Sequence, residues 1–230
     1  MNRVEVVDNN VPLRTALISV SDKTGLAELV VGLAETCPGM TVYSTGGTYR
    51  GIEQTITEHG LQDRLTLTQV SAYTGQPEMQ GGLVKTLDFR IYLGLLSETY
   101  NAAHRQDLQR TGAEVFDLTV VNLYPFTAAA AAEGATLEDA RANIDIGGPT
   151  MIRASAKNYL RVTAVCRPND YPELLQQLRT NNGATRLDFR YRMARAAFTH
   201  TAEYDTAIAQ HLQHTELDES LYRYGTTSGE

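Results

Sequence analysis

Apolar and polar positions along the chain fall into blocks that predict strands separated by helices. Residues 15–20, TALISV, form an apolar, β-branched run, and residues 116–123, FDLTVVNL, form the clearest run of this kind. Continuous apolar runs are typical of strands that are buried on both faces of a parallel sheet. Similar but shorter runs predict further strands at residues 40–43, 65–70 and 161–166.

The segments between these strands are predicted to be mainly helical. The expected helices cover residues 25–35, a segment from about residue 49, most of 84–114, 136–144, 149–158, 170–179 and 187–212. Thr136 is expected as an N-cap with Asp139 three residues later, and Pro149 is expected to open its helix. Loops are predicted at residues 44–48, 73–82 and 144–150.

Repetition of strand, loop and helix predicts an α/β fold, with a mainly parallel sheet, helices on both faces and additional C-terminal helices. We divide the chain into an N-terminal segment, residues 1–14, a catalytic domain, residues 15–168, and a helical extension of the same unit, residues 169–230. Ligands of such sheets bind beyond the carboxyl ends of the strands. The loops that follow the strands are therefore the expected functional region.

Composition narrows the possible functions. Hydrophobic residues make up 42% of the 230 residues, and the formal net charge is -7. This charge argues against a nucleic-acid partner, which needs a basic footprint, but still permits a pocket for one phosphate. Residues 1–12 contain no apolar run, and no stretch approaches the roughly 20 apolar residues that span a bilayer, so we expect a cytoplasmic protein without a membrane partner.

The two cysteines, Cys37 and Cys166, lie in apolar stretches and lack metal-ligand spacing. We therefore expect both to be reduced core residues, with no metal site.

Two loops that follow strands have the composition of phosphate-binding loops. Residues 21–25, SDKTG, and residues 44–48, STGGT, offer hydroxyls, an ammonium group and unpaired amides at helix starts. A phosphate binds to such groups, although each loop is also compatible with ordinary N-capping and turn formation. Neither loop has P-loop spacing, so a nucleoside triphosphate is not implied.

Other loops contribute a carboxylate, two ammonium groups and a phenol. These are Asp145, Lys85, Lys157 and Tyr124. Such a set can support proton transfer and can stabilise charge on a carbonyl oxygen. The spacing alone does not identify a reaction.

Seven strings occur in a specific order: SVSDKTGL, YSTGGTYR, VSAYTGQPEM, GGLVKTL, VVNLYPF, NIDIGGPTMIRASAKN and AFTHTAEYDTAI. Together they resemble the cyclohydrolase half of the bifunctional enzymes of purine biosynthesis, which pair an AICAR transformylase with an IMP cyclohydrolase. The resemblance runs over residues 16–208. It implies a methylglyoxal-synthase-like fold, a purine ribonucleotide substrate, a homodimer, and a reaction without cofactor or metal.

In the implied reaction, the carboxamide nitrogen of formyl-AICAR attacks the formyl carbon, water leaves, and IMP is formed. The resemblance assigns oxyanion stabilisation, carboxamide positioning and proton transfer to catalytic residues Lys85, Tyr124, Asp145 and Lys157. It assigns phosphate binding, contacts to the reacting groups and backbone amides to Ser21, Lys23, Thr24, Ser44, Thr45, Gly46, Gly47, Thr86, Asn122, Gly147 and Gly148.

The chain departs from the family pattern at three positions near Lys85. Leu83 replaces an arginine that helps to bind phosphate in the family, and Asp88 and Tyr92 replace two histidines. Leucine cannot replace a bidentate phosphate partner, so these exchanges bear on phosphate affinity and on the choice of substrate.

The C-terminus also differs, because the two-domain enzymes continue beyond the position of Tyr224 and Gly225 into the transformylase. This chain stops at Glu230. We expect a stand-alone cyclohydrolase without formyl transfer, for which a separate transformylase is a possible partner.

Two alternative functions remain open on the same fold. The first is a non-catalytic purine-nucleotide-binding or regulatory module, which the exchanges at Leu83 and Asp88 favour. The second is a different lyase such as methylglyoxal synthase, which the NLYPF and IDIGG strings disfavour. Fold alone does not separate these alternatives, because the site and not the fold carries the function.

Overall fold

The central element of the protein is a parallel sheet of five strands. A computed structural model describes residues 3–76 and 85–217 of the chain. The strands of the sheet are β2 Thr15–Ser19, β3 Met40–Ser44, β4 Leu65–Gln69, β5 Leu118–Val121 and β6 Thr163–Val165. They lie in the order β4-β3-β2-β5-β6, and each pairs in parallel with its neighbours. The predicted α/β fold with a parallel sheet is confirmed.

Helices connect the strands throughout the described residues. They are α1 Leu26–Thr36, α2 Gly46–Glu58, α3 Val70–Thr74, α4 Phe89–Leu96, α5 Ala102–Thr111, α6 Phe126–Ala130, α7 Leu137–Ala142, α8 Gly147–Lys157, α9 Tyr171–Thr180 and α10 Leu187–His214. The expected capping box is present at α7, where the Thr136 hydroxyl accepts from the Asp139 amide and the Asp139 carboxylate accepts from the Thr136 amide.

Side chains that alternate along each strand enter two separate cores, as the pleat of a sheet requires. In β2, Ala16 and Ile18 join a core that also contains apolar residues of α1 and α9. Leu17 points to the other face and packs in a core with residues of α4 and α8. Helices therefore cover both faces of the sheet.

Several helix boundaries differ from the sequence prediction. Helix α2 begins at Gly46 rather than near Tyr49, because the amides of Thr48 and Tyr49 already donate to the Thr45 carbonyl. Helix α8 begins at Gly147, which places Pro149 third and not first. The predicted helical stretch at residues 84–114 is divided into α4 and α5, since Asn101 starts a new helix as its N-cap.

The predicted loop at residues 73–82 is only partly a loop in the structure. Its first two residues end α3, which stops at Thr74 before Gly75 in the left-handed region. Residues 77–84, which include Leu83, lie outside the described part of the chain.

A second, small sheet joins a strand near the N-terminus to the strand that directly precedes α10. Strand β1 Asn10–Pro12 pairs antiparallel with β7 Ala184–Arg186, and the sequence analysis predicted neither strand. Both strands are three residues long, too short to show a periodic pattern. Residues 10–12 are thus attached to the segment that precedes α10.

The two cysteines agree with the sequence expectation. Cys37 and Cys166 are both buried and reduced, and burial raises the pKa of each thiol. Within residues 3–76 and 85–217, no helix has both the length and the apolar character that crossing a membrane would require.

Candidate active site

The loops that follow β2, β3 and β5 meet at one edge of the sheet, because these three strands are neighbours and run in the same direction. They hold the SDKTG, STGGT and NLYPF segments. The start of α8 reaches the same region, since a Cβ at Gly148 would lie 2.6 Å from Leu123 Cδ2. The carboxyl edge of the sheet is therefore the candidate site, as the fold predicts.

Asn122 holds the SDKTG loop in place. Its Oδ1 accepts hydrogen bonds from the amides of Ser21 and Asp22, at 2.6 and 3.0 Å, and its Nδ2 donates to the Asp22 carbonyl at 2.8 Å. The same side chain hydrogen-bonds the Tyr171 hydroxyl. An amide side chain offers two donors and two acceptor sites. Asn122 is thus fully used within the protein, and its predicted contact with the substrate carboxamide is not supported.

Two hydroxyls join β3 and α2 to the end of β2. Ser44 is completely buried, and its Oγ donates to the Ile18 carbonyl at 2.7 Å. Thr48 Oγ1 accepts from the Val20 amide and donates to the Val20 carbonyl. The predicted phosphate contact of Ser44 is therefore not supported, because its only hydroxyl proton is already used inside the protein.

The other predicted hydroxyls lie nearer to the surface. Thr45 Oγ1 pairs with Ser19 Oγ at 3.0 Å, and Thr24 Oγ1 donates to Asp22 Oδ1 at 2.7 Å. These bonds from Thr24 are the main reason why the pKa of Asp22 lies below its usual value. Ser21 is half-buried in the same loop.

Three cationic side chains converge on the start of α2. A Cβ at Gly47 would lie 3.7 Å from Lys23 Nζ and 3.8 Å from Arg50 Nη2, and a Cβ at Gly46 would lie 3.8 Å from Lys85 Nζ. The first turn of α2 contains no acidic residue, and Gly46 has a φ of +46°, which favours glycine. Cations that gather at the positive end of a helix form an anion site.

Sequence reasoning missed Arg50. The available signal was its spacing, since a residue three positions after Gly47 on a helix lies one turn along the same face. Because α2 was predicted to begin near Tyr49, Gly47 and Arg50 were not expected to lie on one face of the same helix.

Asp145 occupies the start of α8. Its Oδ1 accepts from the Gly148 amide at 2.9 Å, and its carboxylate also accepts from the Tyr124 amide. Burial raises the pKa of Asp145, and these two amide bonds only partly offset that effect. A Cβ at Gly148 would lie 2.5 Å from Asp145 Oδ2, so only glycine permits this close approach.

The remaining predicted residues near Asp145 are Thr86, Gly147 and Tyr124. A Cβ at Gly147 would lie 2.6 Å from Thr86 Oγ1, which places Thr86 against the start of α8. The Tyr124 side chain is 52% exposed, so its phenol is available to a ligand at the surface of the site.

Lys157 does not join Asp145 within the chain. It is the last residue of α8, whereas Asp145 precedes the first, and the eleven residues of this helix separate them. At 1.5 Å per residue, a helix of this length extends about 16 Å. Its neighbour Asn158 donates to the carbonyls of Leu95 and Ser97, at the C-terminal end of α4. Within one chain, α8 therefore separates Lys157 from Asp145, and the expected convergence of the catalytic residues on one pocket stays a prediction.

Two of the positions that depart from the family pattern have structural roles here. Asp88 caps α4 by accepting from the Arg90 amide at 2.8 Å, and it also accepts from Gln76 Nε2. Tyr92 lies against the core between α4 and α8, where burial raises its pKa to about 12. The Tyr92 phenol is therefore not a histidine-like proton carrier at neutral pH.

Comparison with known families gives two adjacent matches. The model described as the MGS-like domain matches residues 25–150, and the model described as the AICARFT/IMPCHase bienzyme matches residues 155–228. Together they extend over most of the chain.

Comparison with individual proteins gives relatives of one name. The bifunctional purine biosynthesis protein PurH of Magnetococcus marinus is 47% identical over 200 residues, which cover 87% of this chain and 36% of that protein. PurH of Desulfitobacterium hafniense is 48% identical over 208 residues, 90% of this chain and 38% of that protein. The chain thus spans somewhat more than a third of the length of these relatives.

A solved structure supports the fold over the whole length of another protein. The crystal structure of ForH superposes with a TM-score of 0.69 at 28% sequence identity. The superposition covers 87% of this chain and 99% of that chain.

Proposed function

The chain belongs to the MGS-like domain family, and from that premise we propose that it is an IMP cyclohydrolase, which closes formyl-AICAR to IMP with loss of water. Its similarity to PurH proteins places the proposal in purine biosynthesis. The proposal assigns the ring-closing step to these 230 residues. The homodimer that the resemblance implies is part of the same proposal.

One observation carries the proposal: two consecutive residues connect the cationic end of the site with its carboxylate end. Lys85 Nζ lies at the start of α2, and Thr86 Oγ1 lies at the start of α8. Because neighbouring Cα atoms are about 3.8 Å apart, Lys85 and Thr86 connect the cationic start of α2 to the start of α8, where Asp145 lies. A ribotide, with its phosphate at one end and its base at the other, matches this arrangement.

In this proposal the 5′-phosphate binds between Lys23, Arg50 and the amides at the start of α2. Two cations and a helix start provide charge-assisted hydrogen bonds to the phosphate oxygens. Ser21 and Thr45 lie at the rim of this site and are proposed as further contacts. The phosphate then fixes the base near Lys85 and Asp145.

Asp145 is proposed as the proton acceptor. Because burial raises its pKa, its carboxylate is a stronger base than an exposed aspartate, and its two amide hydrogen bonds favour the ionised form. As the carboxamide nitrogen forms a bond to the formyl carbon, Asp145 takes one proton from that nitrogen. The proton then passes to the former formyl oxygen.

Lys85 is proposed to stabilise the formyl oxygen while it carries negative charge. After protonation, this oxygen leaves as water with the proton of the formamido nitrogen, and the C=N bond of the purine ring forms. Tyr124 is proposed to orient the carboxamide. Much of the acceleration comes from orientation, because the nucleophile and the electrophile lie on one imidazole ring.

A purine-nucleotide-binding module without turnover is the second candidate function. The separation of Lys157 from Asp145 favours it, since one residue of the implied proton-transfer set lies at the far end of α8. The experiment that separates the two candidates is an ultraviolet assay of IMP formation from formyl-AICAR, run beside calorimetric titration with IMP. A cyclohydrolase gives turnover and binding, and a binding module gives binding alone.

A further inference from the structure

Helix α10 contacts the turn before α8, residues 143–145, through the Tyr204 phenol. The Tyr204 hydroxyl accepts a hydrogen bond from the Asp145 amide at 2.8 Å and donates one to the Asn143 carbonyl at 3.2 Å. Its ring packs edge-on against Phe126 of α6, with centroids 6.2 Å apart. The Tyr204 hydroxyl therefore links the backbone of residues 143 and 145 in the turn that precedes α8.

We propose that Tyr204 is a positioning residue for the Asp145 carboxylate. From α10, its hydroxyl fixes the backbone of residues 143–145, and this backbone sets the position of the carboxylate. The inference rests on the proposed function, because it gives Tyr204 a role in the reaction assigned to Asp145. Tyr204 itself contacts backbone atoms and not the reacting groups.

The geometry explains why one hydroxyl has this effect. A phenol has one donor and can accept as well, and Tyr204 uses both capacities on two backbone groups two residues apart. The Asp145 carboxylate depends on the same backbone for its own alignment with the Gly148 and Tyr124 amides. When the backbone shifts, those amide bonds lengthen or lose their angle, and an angle below about 120° weakens a hydrogen bond steeply.

The surroundings of the phenol keep its proton in place. Burial, followed by the nearby charges of Asp145 and Asp205, raises the pKa of Tyr204, although the bond from the Asp145 amide opposes this. The hydroxyl therefore remains a donor to the Asn143 carbonyl through the neutral range. The Asp145 carboxylate accepts from the Gly148 and Tyr124 amides. From α10, Tyr204 lies beside Asp145, with Asp205 next to it, and Lys85 adjoins Thr86 at the start of α8.

The test compares Tyr204→Phe with Tyr191→Phe, a substitution of an exposed tyrosine on the same helix. We expect Tyr204→Phe to lower kcat about tenfold or more with a change in KM below about twofold, because misplaced catalytic groups reduce turnover more than binding. The acidic limb of the kcat profile is expected to move to higher pH. Loss of amide hydrogen bonds to a carboxylate raises its pKa, whereas a smaller folded fraction would leave the limb where it was.

A second measurement does not require turnover. In protein with 13C-labelled aspartate carboxyls, the Asp145 signal is assigned by its loss in Asp145→Asn and is then titrated by NMR. We expect a higher Asp145 pKa in Tyr204→Phe than in the wild type, and an unchanged value in Tyr191→Phe. An unchanged Asp145 pKa in Tyr204→Phe, or a loss of kcat without movement of the acidic limb, overturns the positioning role. If the wild type forms no IMP, the proposed function fails, and the NMR titration still decides whether Tyr204 positions Asp145.

Discussion

Lys23 and Arg50 bring their charged groups to the same glycine, although 26 positions separate them in the printed sequence. Lys23 Nζ and Arg50 Nη2 lie 3.7 and 3.8 Å from the position of a Cβ at Gly47. Two cations at a helix start repel each other unless an anion lies between them. This relationship makes the start of α2 the place where a phosphate is expected.

Replacement of Arg50 by alanine tests the phosphate site. Arg50→Ala is expected to weaken IMP binding by about 1–3 kcal/mol, the range for hydrogen bonds to a charged group. Calorimetric titration with IMP measures the change. Arg64→Ala is the matched control, because Arg64 is also exposed but precedes β4 at the opposite edge of the sheet. Equal IMP affinity in Arg50→Ala and the wild type would remove Arg50 from the phosphate site.

The state of Asp145 determines the expected pH dependence of the reaction. A base acts only when it is deprotonated, and burial raises the pKa of Asp145. The acidic limb of kcat should therefore lie above the ordinary aspartate value of about 3.9. Asp145→Asn should lower kcat by about a hundredfold or more, the usual loss when a general base is removed. If the variant keeps wild-type turnover, Asp145 is not the proton acceptor.

The same variant has an opposite expected effect on stability. Asp145 has a raised pKa in the folded state, so folding disfavours its charged form, and the protein loses stability as pH rises from the unfolded pKa through the folded one. Asp145→Asn removes this loss and keeps an acceptor for the Gly148 amide. Its melting temperature should equal or exceed that of the wild type at pH 7, with a smaller difference below pH of about 3.9, where both states of the wild type are protonated. The melting-temperature difference between Asp145→Asn and the wild type is compared at pH 7 and at acidic pH. If the variant is less favoured at pH 7 than at acidic pH, the expected direction is contradicted.

Gly148 tests whether the position of the Asp145 carboxylate matters. Gly148→Ala would place a Cβ 2.5 Å from Asp145 Oδ2 and 2.6 Å from Leu123 Cδ2, so the carboxylate must move. Displacement on the order of 1 Å is expected to lower kcat about a hundredfold. Overpacking should also destabilise the fold by about 1–3 kcal/mol. Steady-state kinetics and urea unfolding report the two effects separately.

Gly51→Ala is the control for this substitution. Its Cβ would lie 3.5 Å from Leu26 Cδ2, an ordinary van der Waals contact, inside α2. Alanine in a helix interior is expected to stabilise the protein by about 0.5–1 kcal/mol. Wild-type turnover in Gly51→Ala together with wild-type turnover in Gly148→Ala would show that the carboxylate position has no catalytic importance.

Arg190 provides a stability test outside the site. This wholly buried guanidinium donates to five backbone carbonyls, those of Asp8, Asn9, Tyr159, Leu160 and Thr185. Burial lowers its pKa to about 10, which leaves it charged at neutral pH.

Arg190→Lys keeps the charge but supplies only three donors from a single nitrogen. Because buried carbonyls would lose their partners, the free energy of unfolding should fall by about 2–4 kcal/mol. Urea unfolding of this variant is compared with that of Arg195→Lys, an exposed position on the same helix. Equal losses of unfolding free energy in the two variants would exclude a structural role of the buried Arg190 guanidinium.

The sequence predicted the main features of the fold because the buried strands have a pattern that sheet burial imposes. The runs at residues 15–20 and 116–123 correspond to β2 and β5 at the centre of the sheet. The β1–β7 pair escaped prediction because its three-residue strands lie outside any apolar run, whereas the equally short β6 lies within the run at residues 161–166. The early start of α2 escaped it since glycine has a low helix propensity, which the tertiary structure overrides.

The site was predictable in its residue types but only partly in its geometry. Gly148 and Asp145 are in contact as neighbours in sequence, so a string could identify them. The involvement of Tyr204 depends on a helix 59 positions later that folds back on the loop, and no local pattern contains that information. Conversely, the string that contains Lys157 says nothing about the helix that carries it away from Asp145.

The measurement that tests the central claim most directly is the formation of IMP from formyl-AICAR by the purified chain, followed by ultraviolet absorbance without any folate donor. The account predicts steady turnover by the wild type and a loss of at least about a hundredfold in both Lys85→Ala and Asp145→Asn, as expected for removal of an oxyanion donor and a general base. IMP that binds in calorimetry but is not formed from formyl-AICAR by the wild type would contradict the account and identify a nucleotide-binding module.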